Sequence, residues 1–116
     1  MIEVEHDSSG KIGPVLDRTG MSAGTFESEV IHLKKAVGIG VQFDYGIVTG
    51  VLTLKCSNDG VLFYAAEDVT FNEPAGVAGG QFKDLGNLRA EYLRFDWVHA
   101  SGAGAIKVTP FAKGEI

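Results

Sequence analysis

At 116 residues the chain is the size of one domain, long enough to bury roughly two-thirds of its unfolded surface, and 45% of its residues are hydrophobic. No apolar run approaches the roughly 18 residues that cross a bilayer, which argues against a membrane-spanning helix. Fifteen acidic against ten basic residues give a net charge of -5, which disfavours a nucleic-acid partner, and the single Cys56 excludes an internal disulfide or a thiolate metal cluster.

The N-terminus MIEVEHDSSG lacks the basic and apolar regions of a signal peptide, so a soluble chain made in the cytoplasm is expected. Residues 1–24 show no sustained period; DSSGKIG and RTGMSAGT read as an extended arm, stiffened by Pro14 and ordered by packing. Its anchors are Ile2, Val4, Val15, Leu16 and Met21, set either on the chain's own body or on a neighbouring subunit. The body is then residues 25–116.

TFESEVIHLKK has strand composition. Val37, Ile39, Val41, Phe43 and Tyr45 then hold every second position, a strand with one buried face. Gly38 and Gly40 leave its other face bare, through curvature or because another chain lies close. VLTLKC alternates again and stops at Ser57, Asn58, Asp59 and Gly60, a tight or slightly bulged hairpin turn. VLFYAAEDVTF reads as one or two further strands anchored by Phe63, Tyr64, Val69 and Phe71. NEPAGVAGG is the longest internal loop and QFKDLGNL a brief strand. In EYLRFDWVHA, Leu93, Phe95 and Trp97 share the inward face, and SGAGA is a glycine hairpin turn. AIKVTPFAKG is the return strand, which Pro110 marks as an edge or an end. The sum is all-β: an antiparallel β-sandwich of jelly-roll type, about seven or eight strands by the turn spacing, with an N-terminal arm. Its core is Val41, Phe43, Leu93, Phe95 and Trp97.

The parts of a catalytic centre are present but not arranged. Cys56, His32 and His99 follow no nucleophile motif, and Cys56 on an apolar strand reads as a small core residue. His6 and Asp7 are adjacent, yet no spacing of histidines or cysteines fits a metal site. Asn58 and Asp59, with Glu67 and Asp68, do not match a calcium loop. Glu27 and Glu29, two apart on one strand, read as a solvated face rather than a glycosidase pair. The expectation is a protein with no enzymatic activity, cofactor or metal.

Two stretches, TGVLTLKCSNDGVLF and LRAEYLRFDWVHASGAGAIKVTPFAKG, carry a resemblance covering about two-thirds of the chain. Their order over residues 41–114 resembles small virion proteins of tailed bacteriophages, although Phe63 stands near where many of these have tryptophan. The SNDG turn with the later YLRF strand also looks like discoidin-type jelly rolls. The resemblance implies a virion structural protein assembled in the host cytoplasm. Its commonest form is a capsid decoration or cement subunit, a dimer or trimer bound to the major capsid protein or other virion proteins. The alternative it implies is a tail or fibre module that binds host glycan, with the loops at residues 57–60 and 72–80 as the contact.

Overall fold

The computed structural model describes residues 2–3, 10–11, 13–33, 38–66, 69–86 and 90–113. In chain order the strands are β1 (Ile2–Glu3), β2 (Gly10–Lys11), β3 (Leu16–Arg18), β4 (Gly24–Glu27), β5 (Ile31–His32) and β6 (Gly38–Tyr45). They continue with β7 (Thr49–Ser57), β8 (Tyr64–Ala65), β9 (Gly79–Gly86), β10 (Tyr92–Ser101) and β11 (Ile106–Lys113). Sheet I runs β1-β5-β10-β7-β8, with β4 also on β10; sheet II runs β2-β11-β6-β9, with β3 also on β11. Among the described strands, only β1 and β5 pair in parallel. The long strands alternate between sheets, β6 in II, β7 in I, β9 in II, β10 in I and β11 in II, giving a sandwich of jelly-roll type. The described strands number eleven rather than seven or eight because β1, β2, β5 and β8 are two-residue pairings.

The period-two runs place their apolar sets between the sheets. Val41, Phe43, Leu93, Phe95 and Trp97 are fully buried. Phe43 packs edge-on against Trp97 at 5.7 Å between ring centroids and against Phe71 at 6.4 Å, and Phe71 meets Phe95 at 6.3 Å. Phe71 reaches this cluster from a non-strand segment, so the aromatic core joins both sheets and one loop. Each such ring pair contributes about 1 kcal/mol beyond the area it buries.

The first 24 residues pair into both sheets where they are described, through β1, β2 and β3. Val15 and Leu16 lie in the chain's own core, 7% and 3% exposed, instead of standing free for a neighbour. The cause is register: the Val15 amide donates to the Val108 carbonyl at 2.9 Å, and Leu16 pairs with Val108. Met21 also packs against the core. Ile2 pairs by its backbone with Ile31, and Val4 lies outside the described residues.

Pro110 does not mark an edge. β11 is flanked by β6 on one side and by β2 and β3 on the other. The Val108 carbonyl points to the Val15 side, so by alternation the nitrogen of Pro110 points there too. Pairing with β3 stops at Val108 and pairing with β2 starts at Phe111, leaving Pro110 opposite a gap where no donor is needed.

SGAGA is a crossover rather than a hairpin, since β10 and β11 belong to different sheets. It lies against the corresponding crossover between β6 and β7: the Gly46 amide donates to the Ala105 carbonyl at 2.8 Å, and the Gly104 amide to the Ile47 carbonyl at 3.2 Å. A Cβ at Gly102 or Gly104 would overlap the backbone of Ile47, so the glycines there permit close approach of two corners. TFESEVIHLKK splits into β4 and β5 because Ser28 interrupts it. The Phe95 amide donates to Ser28 Oγ at 2.9 Å, bridging the ladder between the two short strands.

Candidate binding surface

The turn after β7 is a side-chain-built loop, not a tight hairpin. Ser57 Oγ accepts the amides of Asp59 and Gly60 at 3.2 and 2.9 Å and donates to Asp59 Oδ1 at 2.8 Å. The same Oδ1 accepts the amides of Val61 and Leu62 at 2.8 and 3.0 Å. These bonds hold the Asp59 carboxyl down at about 2, and Gly60 supplies the positive φ of 77°. The consequence is a rigid frame that displays Val61, Leu62 and Tyr64 at 77%, 58% and 68% exposure. Tyr64, expected as an anchor, therefore points outward, because β8 is a two-residue edge paired only at Ala65 and Tyr64. Phe63 lies beneath the Arg94 guanidinium at 4.6 Å.

A second surface lies on the outer face of sheet II. Alternation along β6 puts Gly38, Gly40, Gln42 and Asp44 outward. The register aligns Phe111, Gly40 and Asp84 in one row and Thr109, Gln42 and Phe82 in the next. Phe82 and Phe111, 68% and 46% exposed, thus stand diagonally across a groove of about 370 Å³. Gly40 is bare because the Phe82 ring lies over it: a Cβ there would be 2.8 Å from the ring's Cζ. Sequence reading missed Phe82 and Phe111. The available signal was Phe82 two residues before Asp84 in QFKDLG, a phenylalanine sharing a strand face with an aspartate.

The outer face of sheet I carries a charge network at its centre, with the exposed pair Val51 and Val98 beside it. Arg94 donates to both Asp96 oxygens at 2.9 and 3.2 Å, Lys55 approaches Asp96 at 3.1 Å, and Glu27 approaches Arg94 at 3.4 Å. The Asp96 hydrogen bond raises the Arg94 pKa. Glu27 and Glu29 do not share a strand face, since β4 ends at Glu27. Cys56 is partly buried, which pushes its thiol pKa up. His99 is bonded through both ring nitrogens, and His32 stacks on Tyr92 at 4.5 Å and lies 3.6 Å from Glu91. His6, Asp7, Glu67 and Asp68 lie outside the described residues. No group of three potential metal ligands occurs among the described residues.

No protein-family model matches the chain, and no curated protein sequence does. Among solved structures, the SPBc2 prophage-derived protein YomS shares the fold, with a TM-score of 0.54 and 10% identity over 84% of this chain and 90% of that one. A carbohydrate-binding module of Cellvibrio mixtus lichenase 5A, solved with cellotriose, gives a TM-score of 0.45 and 14% identity over 94% of this chain and 93% of the module. A family 89 glycoside hydrolase from Clostridium perfringens gives 0.45 and 18% over 78% of this chain, which spans 11% of the enzyme.

Proposed function

We propose that this chain is a non-enzymatic structural protein of a tailed-phage particle, a capsid decoration or cement subunit that contacts the major capsid protein or other virion proteins. The observation that carries the reading is the patch of Val61, Leu62 and Tyr64 on the Asp59 frame. Exposed apolar side chains on a preorganised loop lose little entropy when a partner covers them, and they gain the full hydrophobic contribution. The residue pattern over 41–114 and the fold shared with a prophage-derived protein support the phage setting. The candidate reagents are otherwise engaged: Glu27 faces Arg94, His99 is bonded at both nitrogens, and burial disfavours the Cys56 thiolate. On this reading the protein acts as a dimer or trimer in the virion, assembled in the host cytoplasm.

The test compares particles assembled with and without the protein under heating and chelation. Particles lacking it should lose their contents at lower temperature. The double variant Leu62→Ser, Tyr64→Ser should stay folded and fail to join particles. Equal resistance of the two particle types, or normal incorporation of the double variant, refutes the reading.

A further inference from the structure

Independently of the capsid reading, we infer that the groove on the outer face of sheet II is a binding site for a neutral pyranose ring. It has the volume of a small-molecule site, about 370 Å³, on regular strands instead of a loop. The two phenyl faces of Phe82 and Phe111 suit the C–H face of a sugar, whose weakly positive hydrogens meet the negative face of the aromatic quadrupole. Phe82 covers the backbone at Gly40, and Gly38 leaves the strand backbone open at the end of the groove, where a flat ring can approach it.

The polar rim fits hydroxyl groups. Gln42 gives one amide hydrogen to Asp44 at 2.9 Å, which leaves its carbonyl to accept and its second hydrogen to donate. Asp84 Oδ1 accepts the Gly86 amide at 2.9 Å, leaving Oδ2 to accept from a sugar hydroxyl. Thr109, in the Gln42 row, both donates and accepts. Beyond it Asp17, Asp44 and Lys107 line a second depression on the same face, where a further sugar of an oligosaccharide would lie. The carboxylates of Asp84, Asp44 and Asp17 disfavour an anionic ligand, and the neutral donors on Gln42 and Thr109 would be wasted on an ammonium ion. The occupant is therefore an uncharged hexose unit. The groove and the Val61 patch belong to different sheets, so a particle-bound subunit can use both.

The experiment is an amide NMR titration of the intact chain with maltotriose, cellotriose, triacetylchitotriose and galactobiose, with oligogalacturonate and tetramethylammonium as charged controls. At least one neutral saccharide should bind with a Kd on the order of 1 mM, moving amides in residues 38–42 and 82–84 and those of Thr109 and Phe111. Phe82→Ala and Phe111→Ala, both at exposed positions, should each weaken that binding about tenfold or more with Trp97 fluorescence unchanged. No response to any neutral saccharide at about 20 mM, shifts confined to residues 57–64, preference for a charged control, or unchanged affinity in Phe82→Ala overturns the inference. Its failure leaves incorporation of the protein into particles unaffected, whereas the Leu62 and Tyr64 variant tests only the latter.

Discussion

The indole N–H of Trp97 donates to Nδ1 of His99 at 3.2 Å, and His99 Nε2 lies 2.9 Å from the Gly102 carbonyl. For both bonds to form, Nε2 carries the proton and Nδ1 accepts. Trp97 and His99 are 0% and 2% exposed, so the imidazole links the centre of the core to the crossover that carries the chain from sheet I to sheet II.

His99→Phe keeps an aromatic ring but strands the indole donor and the Gly102 acceptor. It should cost about 2–4 kcal/mol, read from urea unfolding followed by Trp97 fluorescence. A change under about 0.5 kcal/mol would show that the link is dispensable.

Gly50 and Gly40 should respond oppositely to the same small change. An alanine Cβ at Gly50 would lie 2.5 Å from Cζ2 of the buried Trp97 ring and overlap the Val98 carbonyl, so Gly50→Ala should destabilise by about 2 kcal/mol or more. At Gly40 the obstacle is the outer end of Phe82, which is free to swing into solvent. Gly40→Ala should stay within about 0.5 kcal/mol of the parent in the same unfolding assay.

Asp59 sets an acid limit on the exposed loop. Its carboxyl is lowered from 3.8 to about 2 by the amides of Val61 and Leu62 and by the Ser57 hydroxyl. The folded value lies below the unfolded one, so the stabilisation is fully present above a pH of about 4 and is lost as the pH falls through about 2. NMR titration of the Asp59 carboxyl should show this midpoint, and Asp59→Asn should remove that part of the acid dependence. An Asp59 midpoint near the ordinary aspartate value would contradict the bonding described.

Asp96 is 4% exposed and depends on Arg94 and Lys55. Arg94→Met takes away the bidentate partner and should cost about 3 kcal/mol by urea unfolding. Adding Asp96→Asn should recover part of the loss, because the stranded charge is then gone. If the double variant is no more stable than the single one, the loss comes from packing around Phe63 instead.

Long strands and the core were legible in the sequence because alternation over eight or more residues leaves one assignment of faces. Phe43 in β6 and Trp97 in β10 follow from that alone. What alternation does not encode is which sheet a strand joins. SGAGA looks like a hairpin locally, yet its glycines serve contact with Ile47, far away in sequence. Pro110 illustrates the same limit, since its missing N–H matters only once the gap between β2 and β3 is known. Val15 and Leu16 sit in a segment too irregular to announce a strand, and their burial comes from pairing with the distant Val108. The groove was hidden for a related reason. Phe82, Phe111 and Gly40 come from three strands and meet only through register.

Electron cryomicroscopy of purified particles carrying a C-terminal tag on this chain locates the subunit in the particle. Tag density should stand at regular positions of the capsid lattice and be lost with the Leu62→Ser, Tyr64→Ser variant. Tag density confined to the tail or its fibres, or particles that contain none of the protein, would contradict the capsid reading.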